Sequence, residues 1–131
     1  MTSEPNDPRV YFAAERTLLA WLRTGLAVVG VGFLVARFGW FLAMVRKLGD
    51  EVPPPPLFST LIGIGFVLLG ALLMGAAAWQ HVGFCRELSA SQRPARYWLS
   101  LGGIVSAVLT LLSIALAVYL LQSYLMHQAA T

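Results

Sequence analysis

Three long apolar runs divide the chain, and charged or turn-forming residues close each of them. Leu57 to Trp79 contains no charged residue and exceeds the ~20 helical residues needed to cross a hydrocarbon core. Tyr97 to Met126 is equally uncharged and longer, so it either tilts or extends past the bilayer. Leu18 to Val45 qualifies only if Arg23 and Arg37 are accommodated inside it. Trp21 and Trp40 support that reading. They are nineteen positions apart, roughly 28 Å along a helix at 1.5 Å per residue, which suits two aromatic belts at opposite interfaces. Phe58 and Trp79 bracket the second run; Tyr97 and Trp98, with Tyr119 or Tyr124, bracket the third. The pattern predicts an all-α, single-domain integral membrane protein with three transmembrane helices at about 18–45, 57–79 and 97–124. The first extends into the cytoplasmic interface, and the segment 1–17 is cytoplasmic or interfacial.

Composition agrees. Of 131 residues, 58% are hydrophobic and 11% charged. A soluble domain of this size buries roughly 60–70% of its surface at best, so the apolar excess must face lipid. Net charge is +3, but the basic residues sit at the ends of apolar runs, as membrane topology requires. They form no basic patch with interleaved aromatics of the kind that binds nucleic acid. Glu4 and Asp7 stand where a secretory signal would carry positive charge, so the first apolar run is read as a retained anchor.

The connections fix a direction. Arg46 to Pro56 ends in four consecutive prolines, Pro53 to Pro56, which cannot continue a helix and favour a stiff extended spacer. The second connection, Gln80 to Arg96, carries Arg86, Glu87, Arg93 and Arg96. With three spans, the N-terminal side has Arg9, Arg16, Arg86, Arg93 and Arg96, against Arg46 and Lys47 on the other side. That imbalance favours an N-terminus in the cytoplasm and a C-terminus across a plasma (inner) membrane. Cys85, the single cysteine, then lies in a reducing compartment. It allows no internal disulfide or cysteine metal cage, and reads as a small buried or interfacial hydrophobe.

The first helix carries the candidate chemistry. Asn6-Asp7-Pro8 is a helix-start signal, and Val10 onward reads as continuous helix. Arg9, Arg16, Arg23 and Arg37 follow at intervals of seven, seven and fourteen, with Gly30 in the missing place. Seven residues return a helix to within about 20° of its starting direction, so Arg16, Arg23 and Arg37 lie along one stripe. Two readings stay open. The stripe can face an oligomer interior and line an anion path, because arginine keeps its charge and its planar fork matches phosphate. Alternatively Arg23 and Arg37, each close to a belt tryptophan, snorkel to the headgroups. Glu15 reads as half of a structural ion pair with Arg16. Thr17 and Thr24 either bond back to the helix backbone or contact another helix.

Small residues suggest association. Ser100, Gly103, Ser106, Thr110, Ser113 and Ala117 recur at intervals of three and four. Gly63, Gly70 and Ala77 recur at seven. Such seams let helices approach closely, within one chain or between copies; a homo-oligomer is the expectation. His81 and His127 read as surface residues without metal-ligand spacing. No metal, cofactor, nucleophile–base set or nucleotide loop is expected, and so no enzyme.

The run Ala14-Glu15-Arg16-Thr17-Leu18-Leu19-Ala20-Trp21-Leu22-Arg23-Thr24 resembles the signature of the YidH-like family of small three-span membrane proteins. It is also similar to the membrane domain of the eukaryotic vacuolar transporter chaperone complex. The resemblance is specific over about Arg9 to Ala27, and Glu15, Arg16, Thr17, Trp21, Arg23 and Thr24 match the motif. It implies a pentameric assembly with a basic pore for polyphosphate, and Arg16 and Arg23 as the residues that line it. Arg37 lies outside the motif. The chain also lacks the complex's soluble phosphate-sensing and polymerase domains, so the resemblance implies no synthesis of polyphosphate. Two functions are carried forward: a conduit for phosphate-containing anions, and a non-conducting assembly or accessory subunit.

Overall fold

The computed structural model describes residues 9–46, 57–88 and 101–129. The predicted N-terminal cap, the proline spacer, the arginines at 93 and 96 and the start of the third span at 97–100 lie outside those residues. The described residues form three α-helices and no strand: α1 Arg9–Arg46, α2 Leu57–Glu87 and α3 Leu101–Ala129. Each is long and apolar enough to cross a membrane, which makes the chain a multi-pass membrane protein. Helix α1 runs unbroken for 38 residues. Its N-terminal extension and its apolar run are thus one rod, with no proline between Arg9 and Arg46 to interrupt its hydrogen bonds. The sequence reading starts the second connection at Gln80; the helix continues to Glu87 instead. Leaving the apolar layer changes which side chains are tolerated, but it removes no backbone donor or acceptor, so the helix need not stop there.

Helix α1 packs along α2, and α3 packs chiefly on α2. The α1 face that meets α2 is Leu18, Leu22, Gly25, Val29, Gly32 and Ala36, all buried. The facing stripe of α2 is Gly63, Val67, Gly70, Met74 and Ala77. Both advance in steps of three and four, the spacing of interlocking helix faces. The glycines pair across the contact. A Cβ on Gly32 would come to 2.6 Å from the Gly63 carbonyl oxygen, and one on Gly63 to 2.5 Å from that of Gly32. One turn-pair further, a Cβ on Gly70 would lie 2.7 Å from the Gly25 carbonyl oxygen, and one on Gly25 would run into Met74. The helices touch backbone to backbone. In lipid, where burying apolar side chains gains little, that dispersion contact is what holds helices together.

The small-residue seam of α3 divides. Ser106 and Ser113 are buried inside the single chain, and their hydroxyls donate to Gly102 O at 2.7 Å and Leu109 O at 2.8 Å. They serve packing between the chain's own helices. Gly103 and Thr110 are half-buried, and Thr110 donates back to Ser106 O at 2.8 Å.

Gly32→Ala should destabilise the protein by about 1–3 kcal/mol, the usual cost of overpacking. Gly30→Ala, whose Cβ meets nothing within 4 Å, should be neutral or mildly stabilising. Thermal unfolding of both variants in detergent, followed by helicity, checks the difference; equal midpoints would contradict the backbone contact.

Candidate functional site

Because α2 occupies one face of α1, the arginine positions fall elsewhere. They lie about 120° around the helix from the middle of the α2-facing stripe, at 100° per residue. Arg16 and Arg23 are exposed, and so is Gly30 between Arg23 and Arg37. Among the described residues, neither α2 nor α3 covers this part of the stripe. Thr17 and Thr24 donate to Ala13 O and Ala20 O, each at 3.1 Å, so their hydroxyls satisfy the helix that carries them. Glu15 is half-buried beside exposed Arg16. Consecutive helical positions project about 100° apart, which sends the two side chains in different directions. Trp21 is exposed on the same helix.

Arg37 behaves differently. It is half-buried, its Nη2 donates to the Tyr119 hydroxyl at 3.0 Å, and its guanidinium carbon lies 5.6 Å from the centre of the Tyr119 ring. Hydrogen bond and cation–π attraction come from one residue of α3. The seven-residue spacing places Arg37 on the stripe of Arg16 and Arg23, but this end of the stripe is held by the chain's own third helix. Tyr119 reads in the sequence as an interface marker. Its pairing with Arg37 depends on how α3 docks, which no pattern within either helix reveals.

His81 corrects a sequence expectation. It is not a surface residue but 7% exposed. Its ring lies 6.3 Å from that of buried Tyr11, and its Nε2 is 3.6 Å from Cys85 Sγ. Among the described residues, Nδ1 is buried with no hydrogen-bond partner. His81 extends the α2 stripe of Met74 and Ala77 by one more step of four, so its burial was readable once α2 is known to continue past Trp79. Cys85, one turn on, is half-buried, in keeping with its reading as a small interfacial group. His127 is exposed, as expected, with Nδ1 2.6 Å from Ser123 O. Among the described residues no three histidines, cysteines or carboxylates gather as a metal site would require.

Among known families, residues 9–87 match the one described as Domain of unknown function (DUF202). The match takes in α1 and α2 and leaves α3 outside. No curated protein matches the chain, and no solved structure does.

His81→Leu should leave stability unchanged or raise it, because the substitution removes a buried atom that has no partner and whose burial costs about 1–3 kcal/mol. A fall in the thermal midpoint of that variant would show that Nδ1 does find a partner.

Proposed function

The chain belongs to the YidH-like family, whose domain is of unknown function (DUF202), and we propose that it is an oligomeric inner-membrane protein whose basic α1 faces together form a conduit for phosphate or polyphosphate-like anions. The observation that carries this reading is the position of Arg16 and Arg23. They stand on a face of α1 that neither α2 nor α3 covers, on a helix whose opposite side is already committed to backbone contact. Arg23 lies inside the span read at 18–45, where an arginine costs up to ~2.5–3.5 kcal/mol as it nears the bilayer centre and normally turns to a bundle interior or a water-filled cavity; Arg16 continues the same stripe at the membrane surface. Copies of the chain arranged with these faces inward supply that shelter. The resulting ring of guanidinium groups repels itself, so anions or water at its centre are needed to stabilise it. Gly30, exposed with open space about it, leaves the next position of the stripe free of side chain. In this reading the N-terminus is cytoplasmic and the C-terminus lies across the membrane, as the arginine count on the N-terminal side favours.

One observation favours the second reading, a non-conducting assembly or accessory subunit. Arg37 has its charge stabilised by Tyr119 of its own chain and needs no anion there.

Reconstitution into liposomes separates the two. The conduit reading expects anion-dependent conductance that Arg23→Glu abolishes while the oligomer stays intact by size. Dispersal of the oligomer by that charge reversal would count against an inward stripe. A silent pure protein that gains activity only beside another membrane protein would support the accessory role.

A further inference from the structure

Towards the C-terminal end of α1 all three helices meet around a small cavity of about 50 Å³. Arg37 and Trp40 of α1, Thr60 of α2, and Ser123, Tyr124 and His127 of α3 line it. One copy of the chain therefore builds the whole wall. Thr60 and Tyr124 are 5% and 7% exposed, so the wall is polar well below the surface.

That wall offers protons and little to receive them. A guanidinium has five N–H groups, and the Tyr119 hydroxyl accepts from Nη2 of Arg37. Tyr119 does not line the cavity, so its contact with Arg37 lies outside. The Tyr124 hydroxyl oxygen accepts from Gln128 Nε2 at 2.5 Å, which leaves its own proton to donate. Trp40 brings an indole N–H, a donor only. Among the described residues, no hydrogen bond engages that N–H or the Ser123 hydroxyl. No carboxylate lines the cavity. Donors gathered about a fixed positive charge suit a ligand made of acceptors and negative charge.

Size and position narrow the ligand. A cavity needs about 10–15 Å³ per water by this measure, so the space holds roughly three or four water-sized atoms. One phosphate group presents four oxygens of that size. Trp40 also marks the far membrane surface, at the level of the headgroups.

We propose that this cavity binds a single phosphate group, with Arg37 opposite its charge and Trp40, Ser123 and Tyr124 donating to its oxygens. The planar fork of arginine matches phosphate geometry. Because Tyr119 stabilises Arg37 from outside, the fold does not need the anion, and the cavity can fill and empty while the helices stay docked. The site is complete in one copy and stands whether or not the α1 faces conduct.

Calorimetric titration of the lipid-stripped protein in detergent with inorganic phosphate tests it. The expected result is one phosphate per chain. Trp40→Phe and Tyr124→Phe, which keep a ring and remove one donor, should each weaken binding about tenfold with helicity unchanged. Arg37→Gln should abolish it. Native mass spectrometry before lipid removal identifies the source. A phosphatidylglycerol retained by the wild type and lost in the same variants assigns the phosphate to a headgroup; uptake of inorganic phosphate alone assigns it to solution. Absence of both, or binding indifferent to Trp40→Phe and Tyr124→Phe, overturns the proposal. So does a wild type that takes up no phosphate beside an Asp50→Asn, Glu51→Gln variant that does, which assigns the cavity to a carboxylate of the chain itself.

Discussion

The backbone contact between α1 and α2 constrains everything else in this protein. Water drives soluble helices together by expelling apolar surface; lipid offers no such drive. Helices in a bilayer must gain from close approach, and Gly25, Gly32, Gly63 and Gly70 permit the closest approach available. The cost is that one face of α1 is committed along most of its length. With α2 on that face and α3 packed chiefly on α2, touching α1 near Leu18 and Arg37, much of α1 has no neighbour among the described residues. Arg16 and Arg23 lie within that uncovered part.

Charge and packing then divide the stripe. At its far end α3 comes close enough for Tyr119 to meet Arg37 with both hydroxyl and ring, and the guanidinium is stabilised within one copy. Nearer the N-terminus α3 contributes a contact at Leu18, against which a Cβ on Gly102 would come to 3.1 Å, but among the described residues α2 and α3 leave Arg16 and Arg23 exposed. A single helix thus carries one arginine stabilised by its own fold and two that stand exposed. The sequence repeat treats all three alike; the docking of α3 makes them different.

How far the sequence foretold this depends on which physics each feature obeys. The spans were legible because insertion responds to mean apolarity, and runs such as Leu57 to Trp79 leave no ambiguity. The end of α2 was not, because Trp79 marks the membrane surface whereas the helix obeys backbone hydrogen bonding and continues to Glu87. That error hid His81, which sits in register with Met74 and Ala77. The repeat Gly63, Gly70, Ala77 announced a packing seam, yet its partner glycines on α1 passed unnoticed beside more conspicuous arginines. Ser106 and Ser113 advertised an interface without saying whose, and proved to be buried within the chain. Which faces meet is a tertiary fact. Spacing within one helix narrows the choice but does not make it.

The claim most in need of a direct measurement is that the bare face of α1 looks onto water shared between copies, and Gly30 is the place to make it. It lies on the stripe midway between the belt tryptophans, where no side chain can snorkel to a headgroup, and it has space for a probe. In a Cys85→Ser background, a nitroxide attached to Gly30→Cys in liposomes can be tested for collision with a water-soluble relaxation agent and with oxygen. The account predicts ready access for the water-soluble agent and spectral broadening between copies. Access for oxygen alone, with no broadening, would place that face in lipid and contradict it.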